Sequence, residues 1–329
     1  MENLEQKILT LGVDIGGTNT KIGAVDRTGK VRSYQKFPSR AQDSFEAFLS
    51  DLEQNFQQLK KNLDPDVHIL GAGVGAPDVN VFSGKMEHAA NFKWGEMIPL
   101  REGIEATLGL STIVDNDANA AAIGEMEYGM AKNMTDFVVL TLGTGLGSGI
   151  VVNGKLVYGF TGMAGEFGHT NVRPGGRRCN CGLSGCLETY VSVTGVRRTA
   201  FKMLADLKDS SPLRDVSFND LTGNMITDAA LDGDRVACEV FAYTGEILGS
   251  QLADIAAILS PEAIILAGGL TKAGDQLLQP AVESMNRHLF PVYRDKVKVI
   301  ISSVDAANAA VLGASALAWH EFGTEEVAI

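Results

Sequence analysis

Three cysteines fall within eight residues, Cys179, Cys181 and Cys186, and His169 lies ten residues before the first of them. Thiolates and imidazole suit zinc. Four such ligands close a tetrahedral sphere, so the metal they imply braces a loop and leaves no position for a catalytic water. Clustering of this kind in a reducing compartment points to a metal before it points to disulfides. Reduced buried cysteines beside an unrelated histidine are the alternative. Two carboxylates accompany the set, Glu166 in Gly165-Glu166-Phe167-Gly168-His169 and Glu188 just after Cys186-Leu187. Removing the metal is therefore expected to disorder both glutamates.

Two glycine-rich segments suggest a second chemistry. Asp14-Ile15-Gly16-Gly17-Thr18-Asn19-Thr20-Lys21 and the stretch from Thr141 to Gly149, which contains Thr144 and Gly145, each close a strand-like run. Glycine lets the backbone turn and approach a ligand closely, and the amide and hydroxyl donors there suit phosphate oxygens. Asp14 could hold hydrated Mg²⁺, a hard cation that prefers carboxylate and water oxygens. A polar hairpin would use the same residue types. Four glycines and two threonines among the nine residues 141–149, however, exceed what one tight turn needs. Asp115-Asn116-Asp117 ends a strand where an alanine-rich helix begins. Asp117 there reads either as a carboxylate facing a cleft or as the cap of that helix.

Other nucleotide motifs fail. Gly149 to Leu156 has the spacing G-x-x-x-x-G-K but ends in leucine, not the Ser or Thr that a P-loop places on Mg²⁺. Gly71 to Ala76 fits a loose dinucleotide pattern, yet Pro77 and Asp78 follow where a helix must begin.

The elements that must position these residues are legible as apolar spacing. It predicts strands over 8–14, 21–26 and 31–37, a helix over 43–63, a strand over 67–74, a helix over 97–108 and a strand over 112–114. From Ala118 the order starts again. A helix over 118–128 precedes strands over 137–142, 147–152 and 155–157. Then come helices over 194–208 and 233–259, a strand over 263–266, a helix over 271–289 and a strand over 297–301. The closing helix, 306–319, has small residues at Ala309, Gly313 and Ala316 that permit close helix approach, although an ordinary terminal core helix fits as well. A strand meander thus occurs twice, each copy with a glycine turn after its first strand. Two domains with a cleft and a hinge are expected, residues 1–117 joined by 306–329, and residues 118–305.

Composition agrees with this. The 329 residues are 45% apolar, more than one core normally holds. A net charge of −12, from 40 acidic and 28 basic residues, disfavours nucleic-acid binding, which needs a positive face. Met1 to Lys7 is polar, and the apolar runs are broken by glycines, Asp254, Pro261 and Glu262, so neither export nor a membrane span is indicated. A cytoplasmic protein is expected.

Taken together, these stretches resemble the ROK family over nearly the whole chain, a family that unites bacterial sugar kinases with related transcriptional repressors. The resemblance implies an α/β, actin/hexokinase-like (ribonuclease H-like) fold. It implies ATP phosphates held at Gly16, Gly17, Thr18, Asn19, Lys21, Thr144 and Gly145, with Mg²⁺ at Asp14. Leu266-Ala267-Gly268-Gly269-Leu270 resembles the adenosine motif, which assigns Gly268 and Gly269 to ATP. Asn116 and Asp117 match the pair that binds the sugar, Asp117 being the catalytic base. Glu166, His169 and Glu188 match further sugar contacts, and Asn91, in Ala90-Asn91-Phe92-Lys93-Trp94, another. His169, Cys179, Cys181 and Cys186 match the structural zinc site.

Two departures from the usual pattern, Gly75-Ala76-Pro77-Asp78 in place of a Pro-Gly-Pro type turn and Ala267 in place of a frequent glycine, blur the substrate without disturbing the kinase reading. The resemblance implies phosphorylation of a hexose 6-hydroxyl, glucose first, with N-acetylglucosamine, N-acetylmannosamine, fructose or mannose as alternatives, by a homodimer or higher assembly. Family repressors carry a helix-turn-helix module ahead of the first phosphate motif, and only thirteen residues precede Asp14, so no DNA-reading part is expected. A sugar-sensing regulator without catalysis and an actin-like scaffold are the rival classes.

Overall fold

The computed structural model describes residues 7–89, 92–305 and 307–323. The described residues form two compact units. One comprises those of Met1–Asn133, Leu156–Ala164 and Ser303–Ile329, the other Met134–Lys155 and Gly165–Ser302.

In the first unit β1 (Ile8–Ile15), β2 (Asn19–Asp26) and β3 (Val31–Pro38) form the predicted antiparallel meander. β4 (His68–Ala76) runs parallel to β1, and β8 (Thr112–Asn116) parallel to β4, giving the order β3-β2-β1-β4-β8. Short strands β5 (Val79–Asn80), β6 (Lys85–Glu87) and β7 (Met97–Ile98) make a small separate sheet. The second unit repeats the larger sheet with β9 (Phe137–Leu142), β10 (Leu146–Val152), β11 (Lys155–Leu156), β12 (Ala263–Ala267) and β13 (Lys298–Ile301) in the order β11-β10-β9-β12-β13. β12 again runs parallel to both its neighbours. The doubled α/β architecture expected of an actin/hexokinase-like fold is present in both sheets.

Helices cover the sheets because their apolar faces have helical spacing. In α1 (Phe45–Lys61), Phe45, Phe48, Leu52, Phe56 and Leu59 are buried, and the Ser44 hydroxyl caps the start by accepting the Ala47 amide. They join Leu11, Val13 and Val74 of the strands and Ile104 of α2 (Leu100–Leu108) in the first core. The second core gathers Leu140, Val196 of α4 (Val193–Asp206), Phe241 and Leu248 of α6 (Arg235–Leu259), and Leu277 of α7 (Asp275–His288). The helix α5 (Gly223–Leu231), capped by Thr222, lies between the predicted helices over 194–208 and 233–259, where the sequence reading placed no element.

Small residues let α3 (Asp117–Tyr128) and the closing helix α8 (Ala309–Phe322) meet closely, for a Cβ on Gly124 would lie 2.9 Å from the Gly313 Cα. Close approach is thus the use of the glycine in α8. This packing keeps α3 in the first unit, which runs past the expected border at 117 to Asn133 and also takes in Leu156–Ala164. Among the described residues no helix is long and apolar enough to cross a membrane.

Candidate functional site

In the first unit the register brings the candidate residues to one edge of the sheet. Asp14 of β1 lies beside Gly75 of β4, and Gly75 beside Asp115 of β8, so the carboxyl ends of three parallel strands stand in a row. Neighbouring strands are about 4.8 Å apart, and such an edge is where open α/β sheets bind ligands. Gly16, Gly17 and Thr18 form the turn from β1 to β2, closed by the Gly16 amide donating to the Asn19 carbonyl at 3.1 Å. Asp14 faces Lys21 across the hairpin, with Oδ2 3.3 Å from Nζ. Burial raises the Asp14 pKa, and the lysine opposes that rise. A carboxylate beside a single lysine keeps oxygen to offer a cation's water shell, the ligand type Mg²⁺ prefers.

Asn116, not Asp117, caps α3. Its Oδ1 accepts the Ala118 amide at 2.8 Å. Asp117 is the first helical residue, so the capping alternative for its carboxylate falls away. Asn91 lies outside the described residues.

In the second unit Gly143, Thr144 and Gly145 form the turn from β9 to β10, with the Gly143 amide donating to the Gly145 carbonyl at 3.0 Å. The start of α4 fastens it, because Val193 N–H donates to the Gly143 carbonyl at 2.8 Å and the Thr194 hydroxyl to the Thr144 carbonyl at 3.1 Å. Gly268 lies against Leu142, where a Cβ would come within 2.7 Å of the carbonyl oxygen. The structure therefore brings Gly268 and Gly269 next to the second glycine turn.

Glu188 joins that turn to the cysteine loop. Its Oε2 accepts the Leu146 amide at 3.0 Å, and its Oε1 lies 3.6 Å from Cys179 Sγ. Gly145 leaves room for this carboxylate, since a Cβ there would push Glu188 Oε2 from its place. Glu166 precedes the short helical turn Phe167–His169 and is exposed, with Oε2 3.9 Å from His169 Nε2. Backbone pairing brings this segment to the cysteines, because Leu187 N–H donates to the Thr170 carbonyl at 3.0 Å.

His169, Cys179, Cys181 and Cys186 converge, their ligand atoms all within 4.8 Å of one another. Cys179 Sγ is 3.8 Å from His169 Nδ1, and Cys181 Sγ is 3.7 Å from Cys186 Sγ. A tetrahedron with Zn–S bonds of about 2.3 Å has S···S edges of about 3.75 Å. Donor set and spacing therefore fit zinc. Burial pushes the Cys179 thiol up to about 12, and it raises Cys186 too. A cation would reverse that preference by stabilising thiolates.

Sequence reasoning missed two groups. Arg177 locks the cysteine loop to α4 by donating to the carbonyls of Thr189 and Gly195 at 2.8 and 3.0 Å. Buried Asp115 receives the Tyr158 hydroxyl at 2.8 Å. Asp115 was visible as the neighbour of Asn116, whereas nothing in the sequence marked Tyr158.

Known proteins can be set beside this geometry. The glucokinase of Halalkalibacterium halodurans is 36% identical across 92% of this chain and 92% of its own. The DNA-binding transcriptional dual regulator NagC of Escherichia coli is 31% identical across 93% of this chain but 74% of its own. The crystal structure of a ROK family glucokinase from Streptomyces griseus, in complex with glucose and AMPPNP, superposes with a TM-score of 0.83 at 33% identity, covering 95% of this chain and 99% of that one. The match to the ROK family extends over residues 10–321, nearly the whole of the chain on which these turns and the cysteine loop lie: the chain belongs to the ROK family.

Proposed function

We propose that the protein is an ATP-dependent sugar kinase that transfers the γ-phosphoryl group of ATP to the 6-hydroxyl of glucose in the cytoplasm. The observation that carries this reading is Asp117, a carboxylate at the ligand-binding edge of its sheet whose expected capping work is done by Asn116. The likeness to glucokinases supports the choice of sugar.

Asp117 accepts the hydroxyl proton as O6 attacks phosphorus, the bond from phosphorus to the β-phosphate oxygen breaks, and ADP leaves. The transition state is loose, so positioning and charge stabilisation do most of the work. Amides of the two glycine turns and the Lys21 ammonium hold the phosphates, with the adenosine at Gly268 and Gly269. Asn116, Glu166, His169 and Glu188 orient the sugar hydroxyls, with Asn91 as a further contact. Mg²⁺ held through water by Asp14 would supply further neutralisation of the phosphates. A zinc ion on His169, Cys179, Cys181 and Cys186 would supply structure alone, because four protein ligands close its sphere.

Coupled detection of ADP with a panel of hexoses tests the proposal. Glucose is expected to give the highest kcat/KM. Preference for N-acetylglucosamine or N-acetylmannosamine would overturn glucose and keep the kinase. Sugar binding without ADP release would favour a sugar-sensing regulator, the reading that likeness to NagC supports. A homodimer or higher assembly is proposed as well, and light scattering that finds a monomer would refute it.

Glu188→Gln is the companion test of the sugar pocket. The amide keeps one oxygen for Leu146 N–H but loses the charge that strengthens hydrogen bonds to sugar hydroxyls. Sugar affinity is expected to fall about tenfold or more, with ATP affinity changing less. Unchanged binding of both ligands, measured by calorimetry, places Glu188 outside the pocket.

A further inference from the structure

We propose that Tyr158 and Asp115 form a positioning pair that fixes the strand-to-helix corner carrying Asp117; the inference rests on the kinase reading above. Asp115 is only 1% exposed. A carboxylate so buried must have its oxygens occupied by donors. Its Oδ1 takes the Asn116 amide at 2.7 Å and the Asn119 side-chain amide at 2.8 Å, and its Oδ2 takes the Tyr158 hydroxyl at 2.8 Å. These bonds clasp the residue before Asp117 and the one two places after it. Gly75 closes the corner from β4, where a Cβ would stand 3.5 Å from the Asp117 Cα. The backbone of Asp117 is thereby held on several sides.

Tyr158 is itself held. The Asn80 side-chain amide donates to the Thr161 carbonyl at 3.1 Å, and the Ala164 amide donates to the Tyr158 carbonyl at 3.0 Å. The Tyr158 ring meets Phe82 edge-on, with centroids 5.9 Å apart. Burial, together with the Asp115 charge, raises the Tyr158 pKa, so its hydroxyl stays a donor across the working pH range. The work of Asp115 and Tyr158 is to aim the base. Misplacing a reacting group by about 1 Å costs up to about 10²-fold in rate.

Tyr158→Phe removes the hydroxyl and keeps the ring. With kcat counted per sugar-binding site, so that unfolded protein drops out, it is expected to fall about tenfold, more than sugar affinity falls. Asp115→Asn gives a second measurement: combined with Tyr158→Phe it is expected to lose less than the product of the two single losses. Hydrogen exchange at the Asn116 and Ala118 amides is expected to quicken in Tyr158→Phe, with exchange in the β1–β2 hairpin unchanged. Wild-type kcat in Tyr158→Phe, or single losses that simply multiply, would overturn the proposal. If the wild-type protein releases no ADP with any hexose, the kinase reading falls instead. Exchange at Asn116 and Ala118 then decides separately whether Tyr158 holds the corner.

Discussion

Replacing Asp117 with alanine is expected to lower kcat by about 10²- to 10⁴-fold, the range for loss of a general base. ATP affinity and melting temperature should remain close to those of the wild type. The separation of these effects follows from the corner at the end of β8. A capping carboxylate would contribute about 1 kcal/mol to stability and little to turnover. That work belongs to Asn116, whose Oδ1 takes the Ala118 amide, while Asp117 stands in the first turn of α3. Its loss also leaves Asp115, Asn119 and Tyr158 paired as before. Turnover within a few-fold of wild type would remove Asp117 from the chemistry. A large fall in melting temperature would show instead that its carboxylate supports the fold.

Removing the metal should have the second largest effect. One zinc per chain is expected by elemental analysis of freshly purified protein. Chelation, or Cys181→Ser, is expected to abolish measurable sugar binding and kinase activity. A metal on these residues would cross-link two segments, because His169 stands on the turn that follows Glu166 and the cysteines on the loop that leads into Glu188. Without the metal the raised pKa of Cys179 and Cys186 leaves neutral thiols that attract nothing strongly. Both carboxylates then lose their anchorage.

On the proposed reading the metal would also support the nucleotide side. Glu188 accepts the Leu146 amide at the second glycine turn, so nucleotide affinity is expected to fall with the metal, though less than sugar affinity. The first turn, built on β1 and β2, should be indifferent. Protein free of zinc at full activity, or a Cys181→Ser variant with wild-type sugar affinity, would overturn the structural role of the cluster.

Much of this was legible in the sequence because it is encoded locally. Strand and helix periods placed nearly every long element within a few residues. The glycine segments marked both hairpin turns, and the cysteine spacing with His169 marked the ligand set that the fold brings within 4.8 Å. Brief elements such as β5, β6 and β7 escaped because two or three residues are too few to show a period.

The tertiary structure alone decided the rest, where the partners lie far apart in sequence. The bond from Tyr158 to Asp115 joins residues 43 positions apart, and that from Leu146 to Glu188 joins residues 42 apart. No spacing rule encodes either one. Helix α3 joined the first unit because Gly124 and Gly313 let two helices touch; the small residues of the closing helix permit such an approach but do not say which helix makes it. Even the choice between Asn116 and Asp117 as cap turned on where β8 stops, since one residue of register exchanges the two roles. Sequence fixes which groups a short stretch can offer, and the packing of distant stretches fixes which of them meet.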